Sequence, residues 1–466
     1  MGSQTELYTG GSVMKTILMC GPFSSRSGYG DHARSIFYAI HDSGKYDIKI
    51  WDVSWGDTPK NFLKHDNPRH KSLLDRFLKE PAMDNQPDVY IDLRIPNEFE
   101  TFGKVNIGVT AGIETDAVSN VWIDGINRMN MTIVPSVHSK SSFINSHYDK
   151  LQDLPDGKKE KVGELRIEKP IEVIFEGADL NIYKPLKVNE IDNDFLTFIN
   201  KRTPEKFAFL FVGQWVKGGF GEDRKDIGRM LKVFFETFAN TKNQPALILK
   251  TSGAGFSLLD KSECKRKIQD IKNMMPGEWK LPNVYLLHGD LADEEMNMLY
   301  NHPKIKCLIS FTHGEGFGRP LLEASVVGLP VICSNWSGPV DFLDASLSLL
   351  IGGKMIEVPK GAIWKDIVIP ESHWFEIDEN DAYKALNYCH KNFNTVKERA
   401  KTLMRRNREK FSMQAMAKLI VEQVDRYTAA IPDEKKLVLP KLKKIGNNNP
   451  TEPPKIKLPK LKKING

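Results

Sequence analysis

Cysteine is scarce and scattered in this 466-residue chain: Cys20, Cys264, Cys307, Cys333 and Cys389 are odd in number and never fall in a CxxC spacing. That excludes a disulfide scaffold, argues against zinc, and is the pattern of reduced thiols in a cytoplasm. Long apolar runs are missing too. No stretch approaches the roughly eighteen residues that would span a bilayer. The only early apolar run, Thr16-Ile17-Leu18-Met19-Cys20, is too short for a secretory signal and leads into a glycine-rich turn. The body lacks basic charge: of the formal +6, ten lysines against one acid, Glu452, place +9 between Lys435 and the end and leave −3 elsewhere. No Asp-x-Asp pair stands suitably after a strand candidate, which agrees with metal independence.

What is present is a globular composition, 40% hydrophobic and 27% charged, in a chain too long for one comfortable core, so two domains are expected. From Lys15 onward short β-branched or apolar runs alternate with longer helical patterns, the mark of an α/β fold. Strand candidates are Thr16–Cys20, Asp47–Trp51, Val89–Leu93, Asn106–Thr110, Met131–Pro135 and the extended run Ile171–Phe175. A second set comprises Phe207–Val212, Ala246–Lys250, Val284–His288, Lys304–Phe311 and Pro330–Ser334. Two sets imply two parallel sheets, with the boundary near Ile182–Pro185. The charged stretch from Asp156 to Lys169 has no periodicity and reads as a surface loop. Helical patterning resumes over Asp381–Arg408 and Met413–Ala430. Residues 1–13 read as a leader or cloning remnant. The end of the chain repeats one phrase, Lys436-Leu-Val-Leu-Pro440-Lys-Leu-Lys-Lys-Ile445 and Lys455-Ile-Lys-Leu-Pro459-Lys-Leu-Lys-Lys-Ile464, which is read as a flexible basic tail over 432–466.

Chemistry concentrates between Lys304 and Asn335. A strand ends in Thr312-His313-Gly314. The loop Glu315-Gly316-Phe317-Gly318-Arg319 follows, and Pro320 suits the start of a helix that Gly328 ends. Glycines let the backbone approach a ligand, and the free N–H groups of a helix start favour an anion such as a diphosphate. Glu323 is the only charged residue in Pro320–Pro330. Removing a carboxylate from water costs several kcal/mol unless donors meet it, and two ribose hydroxyls would do so. The plainer reading makes Glu323 a complement to the helix dipole and Glu315 a solvated loop acid.

Glu315, seven intervening residues and Glu323, in the setting GEGFGRPLLEASVVGLPVI, resemble the EX7E signature of retaining GT-B glycosyltransferases, in particular glycosyltransferase family 4. The resemblance implies two Rossmann-like domains facing each other across a cleft: an acceptor domain at 14–185 and a nucleotide-sugar domain at 186–410. A C-terminal helix at 411–431 would pack back on the first. It also implies that Glu323 holds the donor ribose, that Glu315 lies near the transferred sugar, and that Gly316, Phe317, Gly318, Arg319 and Leu321 line the donor site. Phe209-Leu-Phe-Val-Gly213-Gln214 with Arg224-Lys225-Asp226 resembles the family's strand, glycine turn and basic pair that neutralise the diphosphate. Gln214 departs from the arginine often found there. Val284–Gly289, with His288, resembles the segment beside the nucleobase, and Phe175-Glu176-Gly177-Ala178-Asp179 the turn that closes the first domain.

In the first domain Gly28 and Gly30 would face the donor phosphates. Glu114, Asp116 and His138 resemble a cleft wall on the acceptor side, although such a histidine is more often a helix-start or surface residue. The expected activity is transfer of a hexosyl or pentosyl group from a nucleotide-diphosphate sugar, the donor substrate, to an acceptor hydroxyl. No separate cofactor is expected. Retention follows from the resemblance alone. The acceptor stays open between a glycan, a lipid-linked molecule and a hydroxylated DNA base, and the tail between nucleic acid, an anionic membrane, a partner protein and simple solvation. Alternatives are another GT-B enzyme, of epimerase or phosphorylase type, and a non-catalytic module docking through its tail. The expected location is cytoplasmic, at the periphery of a polyanionic surface where the tail docks.

Overall fold

The computed structural model describes residues 14–80, 82–155, 158–216, 218–253 and 256–432. The leader read at 1–13 and the lysine-rich repeats lie outside the described residues. Eight strands come from the first part of the chain: β1 Lys15–Gly21, β2 Tyr46–Asp52, β3 Val89–Leu93, β4 Val105–Val109, β5 Met131–Val134, β6 Tyr148–Asp153, β7 Lys159–Leu165 and β8 Ile171–Val173. Six of them form a parallel sheet in the order β2-β1-β3-β4-β5-β8. The second part supplies β9 Ala208–Gln214, β10 Ala246–Ser252, β11 Val284–Leu287, β12 Ile305–Ser310, β13 Val331–Ser334, β14 Leu349–Ile351, β15 Gly353–Glu357 and β16 His373–Ile377. Its parallel sheet runs β11-β10-β9-β12-β13-β14. Each order reverses once, at β1/β3 and at β9/β12. Open α/β sheets bind ligands beyond the carboxyl ends of the strands at such a reversal. The expected α/β fold with two Rossmann-like sheets is the one the chain adopts.

The central strands are apolar on both faces because helices cover both. Phe209 and Phe211 of β9 pack with Met230, Phe234 and Phe238 of helix Ile227–Phe238, while Ala208 and Leu210 face Leu321 and Leu322 of helix Arg319–Val326. Around the first sheet, helix Met413–Thr428 buries Met416, Ile420 and Val424 against Ile36, Ile40 and Ile48. Their i, i+4 spacing places them on one stripe, and each such burial contributes about 1.5–3 kcal/mol.

Three local readings change. The segment read as a loop from Asp156 to Lys169 contains β7, paired antiparallel with β6 and tied by Lys161 to Asp149 at 2.5 Å. Both faces of this hairpin meet solvent, so the alternation that marks a half-buried strand never developed. The helix expected over Asp381–Arg408 is two, Glu379–Lys391 and Phe393–Lys410, separated at Asn392, with neither glycine nor proline to signal the break. Pro320 is second in its helix, after Arg319. An antiparallel pair, β15 and β16, was not foreseen; between its strands the chain reaches the first domain, where Ile367 packs beside Phe99 and Trp122.

Candidate functional site

The reversal between β9 and β12 gathers the charges. Lys225 Nζ bonds Glu315 Oε1, and Arg224 Nη1 lies 3.1 Å from Glu315 Oε2 and 3.0 Å from Glu114 Oε1. The backbone is fixed as well: Arg224 O accepts from His313 N at 2.9 Å and from Thr312 Oγ1 at 3.1 Å. A Cβ on Gly213 would meet Phe211 Cζ at 3.0 Å and Lys225 Cε at 3.4 Å, so the missing side chain leaves room for the lysine stem. Burial raises the Glu315 carboxyl, but the charges of Lys225 and Arg224 outweigh it and hold the group below its ordinary value. Lys225, Glu315, Gly318, Pro320 and Leu321 line one small cavity with Val212 and Ser310.

The loop needs its glycines. Gly318 caps the helix at φ 99, in the left-handed region. A Cβ on Gly316 would fall 1.8 Å from Ala111 O, and one on Gly314 2.0 Å from Glu114 O. The loop Gly314–Gly318 therefore touches the Ala111–Glu114 wall of the first domain, backbone against backbone. Phe317 points into the core against Phe342, ring centroids 5.1 Å apart.

Glu323 is the fifth residue of its helix, past the first turn where the dipole acts. That weakens the reading of Glu323 as a dipole complement. Its Oε2 accepts from Tyr300 Oη at 3.1 Å, and Arg319 Nε stands 3.8 Å from Oε1 and 3.8 Å from Glu176 Oε2. Burial pushes the Glu323 carboxyl up to about 8, against the opposing charge of Arg319, and Glu176 up to about 7. Arg319 Nη1 is buried without a partner. Glu323 is thus a largely buried acid short of donors.

Other predicted residues stand apart from Glu315. Gln214 is exposed at the end of β9. His288 Nε2 meets Asp260 Oδ2 at 2.7 Å, and Asp260 also receives Gly253 N. Asp116 is engaged by the first residue of β16: His373 N donates to its Oδ1 at 2.7 Å. His138 Nε2 contacts Ile113 O at 3.1 Å and its ring sits edge-on to Trp336. Burial holds His138 down at about 4. Gly30 N donates to Ser27 Oγ at 3.1 Å at the start of helix Gly28–Asp42, and a Cβ on Gly30 would meet Ser25 O at 2.4 Å; a Cβ on Gly28 would meet nothing within 4 Å. Arg26 reaches Asp290 of the second domain at 2.5 Å. Tyr300 and Arg26 had not been singled out, because nothing local marks a residue whose partner comes from another element.

Residues 231–348 match the sequence profile of the family described as Glycosyl transferases group 1. A search of curated proteins finds no match. Among solved structures the chain is similar to HepE from Anabaena in complex with UDP-glucose (15% identity, 88% of this chain and 99% of that one, TM-score 0.54). It is also similar to a sucrose-phosphate synthase from Thermosynechococcus elongatus (14%, 89% and 100%, 0.58) and a glycosyltransferase from Rickettsia africae (13%, 89% and 98%, 0.53). At these identities the shared property is the fold: two Rossmann-like domains in the GT-B arrangement. Among the described residues no helix is long and apolar enough to cross a membrane, and all five cysteines are free and buried.

Proposed function

We propose that the chain is a glycosyltransferase that moves a sugar from a nucleoside-diphosphate sugar to an acceptor hydroxyl with retention. The observation that carries this reading is Glu315 held between Lys225 and Arg224 at the β9/β12 reversal, beside a glycine loop that enters a helix. An arriving diphosphate takes the two cations and the amides of Gly318 and Arg319 as partners. These then stabilise the leaving nucleoside diphosphate as the sugar–phosphate bond breaks, and Glu315, released, faces the sugar. The charge is supplied by the chain itself, so turnover is expected to persist in a chelator. Ribose hydroxyls complete the donors around Glu323. His288 and Asp290 stand at the carboxyl end of β11, beside the base. Gly28 and Gly30 approach from the first domain, and Glu114, Asp116 and His138 border the acceptor.

That HepE was solved with UDP-glucose supports a uridine nucleotide as the first donor to try. The buried free cysteines support a reducing compartment. The lysine repeats bring a polyanionic acceptor or surface close, and removing everything after Pro432 tests that. Calorimetry with a panel of nucleotide sugars tests the donor: Glu323→Ala is expected to abolish binding, and undiminished binding by that variant would sink the assignment.

A further inference from the structure

Ser337 has φ 65 and ψ −154, a backbone region that glycine occupies and residues with a Cβ avoid. It is 2% exposed, separated from the end of β13 by Asn335 and Trp336, and at the entry to the short helix Gly338–Asp341. Its hydroxyl explains why a serine tolerates the position. Ser337 Oγ accepts from Glu315 N at 2.9 Å and donates to Trp336 O at 2.7 Å, and Gly338 N donates to Glu315 O at 3.0 Å. Both main-chain groups of Glu315 are therefore held by this one turn. Gly338 must be glycine for the same contact, since a Cβ there would lie 2.4 Å from Gly316 O.

The turn also meets the first domain on both sides of Ser337. Before it, the Trp336 ring packs edge-on against His138 at 4.9 Å and parallel to Phe375 at 6.1 Å. After it, Asp341 Oδ2 accepts from Val137 N at 2.8 Å. A strained residue persists only where its surroundings over-determine it, and here those surroundings are Glu315 on one side and the first domain on the other.

We infer that Ser337 is the positioning residue of Glu315, and that its strained turn transmits contact between the two domains to the placement of that carboxylate. The inference rests on the reading of Glu315 as the residue facing the transferred sugar. The turn holds the Glu315 main chain, Lys225 and Arg224 hold its side chain, and closing of the first domain onto Trp336 and Asp341 keeps the turn in its strained form.

Two substitutions separate strain from hydrogen bonding. Ser337→Gly relieves the backbone and removes the hydroxyl; Ser337→Ala keeps the strain and removes the same hydroxyl. Thermal unfolding is expected to rank Ser337→Gly above Ser337→Ala by about 2 °C or more. Both variants are expected to lower kcat about tenfold with UDP-glucose as donor, with KM for the nucleotide sugar little changed. Amide exchange in peptides spanning Gly314–Phe317 is expected to accelerate in both. Wild-type kcat in Ser337→Gly, unchanged exchange there, or Ser337→Gly melting at or below Ser337→Ala would overturn the inference. If wild type neither binds nor turns over UDP-glucose or any other nucleotide sugar, the donor reading fails. The melting order and the exchange rates still decide whether Ser337 holds Glu315 in place.

Discussion

Arg224 Nη1 lies 3.0 Å from Glu114 Oε1 and 3.1 Å from Glu315 Oε2, so one guanidinium of the second domain joins an acid of its own domain to one of the first. Opening the cleft separates Arg224 from Glu114 and leaves its pairing with Glu315 intact. On the proposed function, a diphosphate entering the site would compete with both carboxylates for the same cation, and donor binding would then be coupled to the contact between domains.

Lys225 and Glu315 are both nearly buried, so removing the lysine takes one of its two cations from the carboxylate and leaves only Arg224. Lys225→Met is expected to destabilise the fold by about 3 kcal/mol. Lys225→Met with Glu315→Leu is expected to recover part of that loss, while activity stays abolished in both. Urea unfolding of the two single variants and the double variant measures the coupling; strictly additive losses would contradict it.

Glu323 carries a pH signature. Its folded value of about 8 lies above the ordinary 4.5, so the native state favours the protonated form. The penalty of the buried charge is absent below about pH 4.5, grows as pH rises, and is complete above about 8. Glu323→Gln is therefore expected to gain on wild type by roughly 2 kcal/mol or more between about pH 5 and 8, as read by urea unfolding at both ends. Ribose hydroxyls favour the charged form, so nucleotide binding near neutral pH is expected to release a proton. Calorimetry in buffers of different ionisation enthalpy detects it.

A methyl group on Gly316 collides with Ala111 O, forcing the glycine loop away from the first domain. Gly316→Ala is expected to lower kcat/KM by about 100-fold, the effect of a misplacement near 1 Å. Gly277→Ala, at a site with nothing within 4 Å, serves as the control for an added methyl group. Steady-state kinetics on both variants checks the contrast.

Asp116 receives His373 N at 2.7 Å and stands 3.2 Å from His373 Nδ1, fastening the start of β16 to the first domain. Asp116→Ala is expected to cost about 1–2 kcal/mol and to raise amide exchange across β15 and β16. If instead only the acceptor KM changes, the residue serves the acceptor and the fastening is incidental.

Local physics made much of this legible beforehand. Strands buried on both faces read as continuous apolar runs, and Gly328, at φ 83, ended its helix as its residue type implied. Hairpin β6–β7 escaped because a strand solvated on both sides has no apolar alternation. The break at Asn392 escaped because the helical pattern resumes at once with Phe393.

By itself the sequence determined that Glu315 opens the loop after a strand, that glycines follow it, and that Glu323 stands alone among apolar helix residues, since these are neighbours in the chain and local backbone preferences act on neighbours. Only the tertiary structure decided what surrounds the two acids. Lys225 and Arg224 reach Glu315 from about ninety positions away, Tyr300 reaches Glu323 from another helix, and Ser337 takes hold of the Glu315 main chain from beyond the next strand. A buried carboxylate must find partners or give up its charge. Which partners it finds is set by the strand order that brings β9, β12 and β13 side by side.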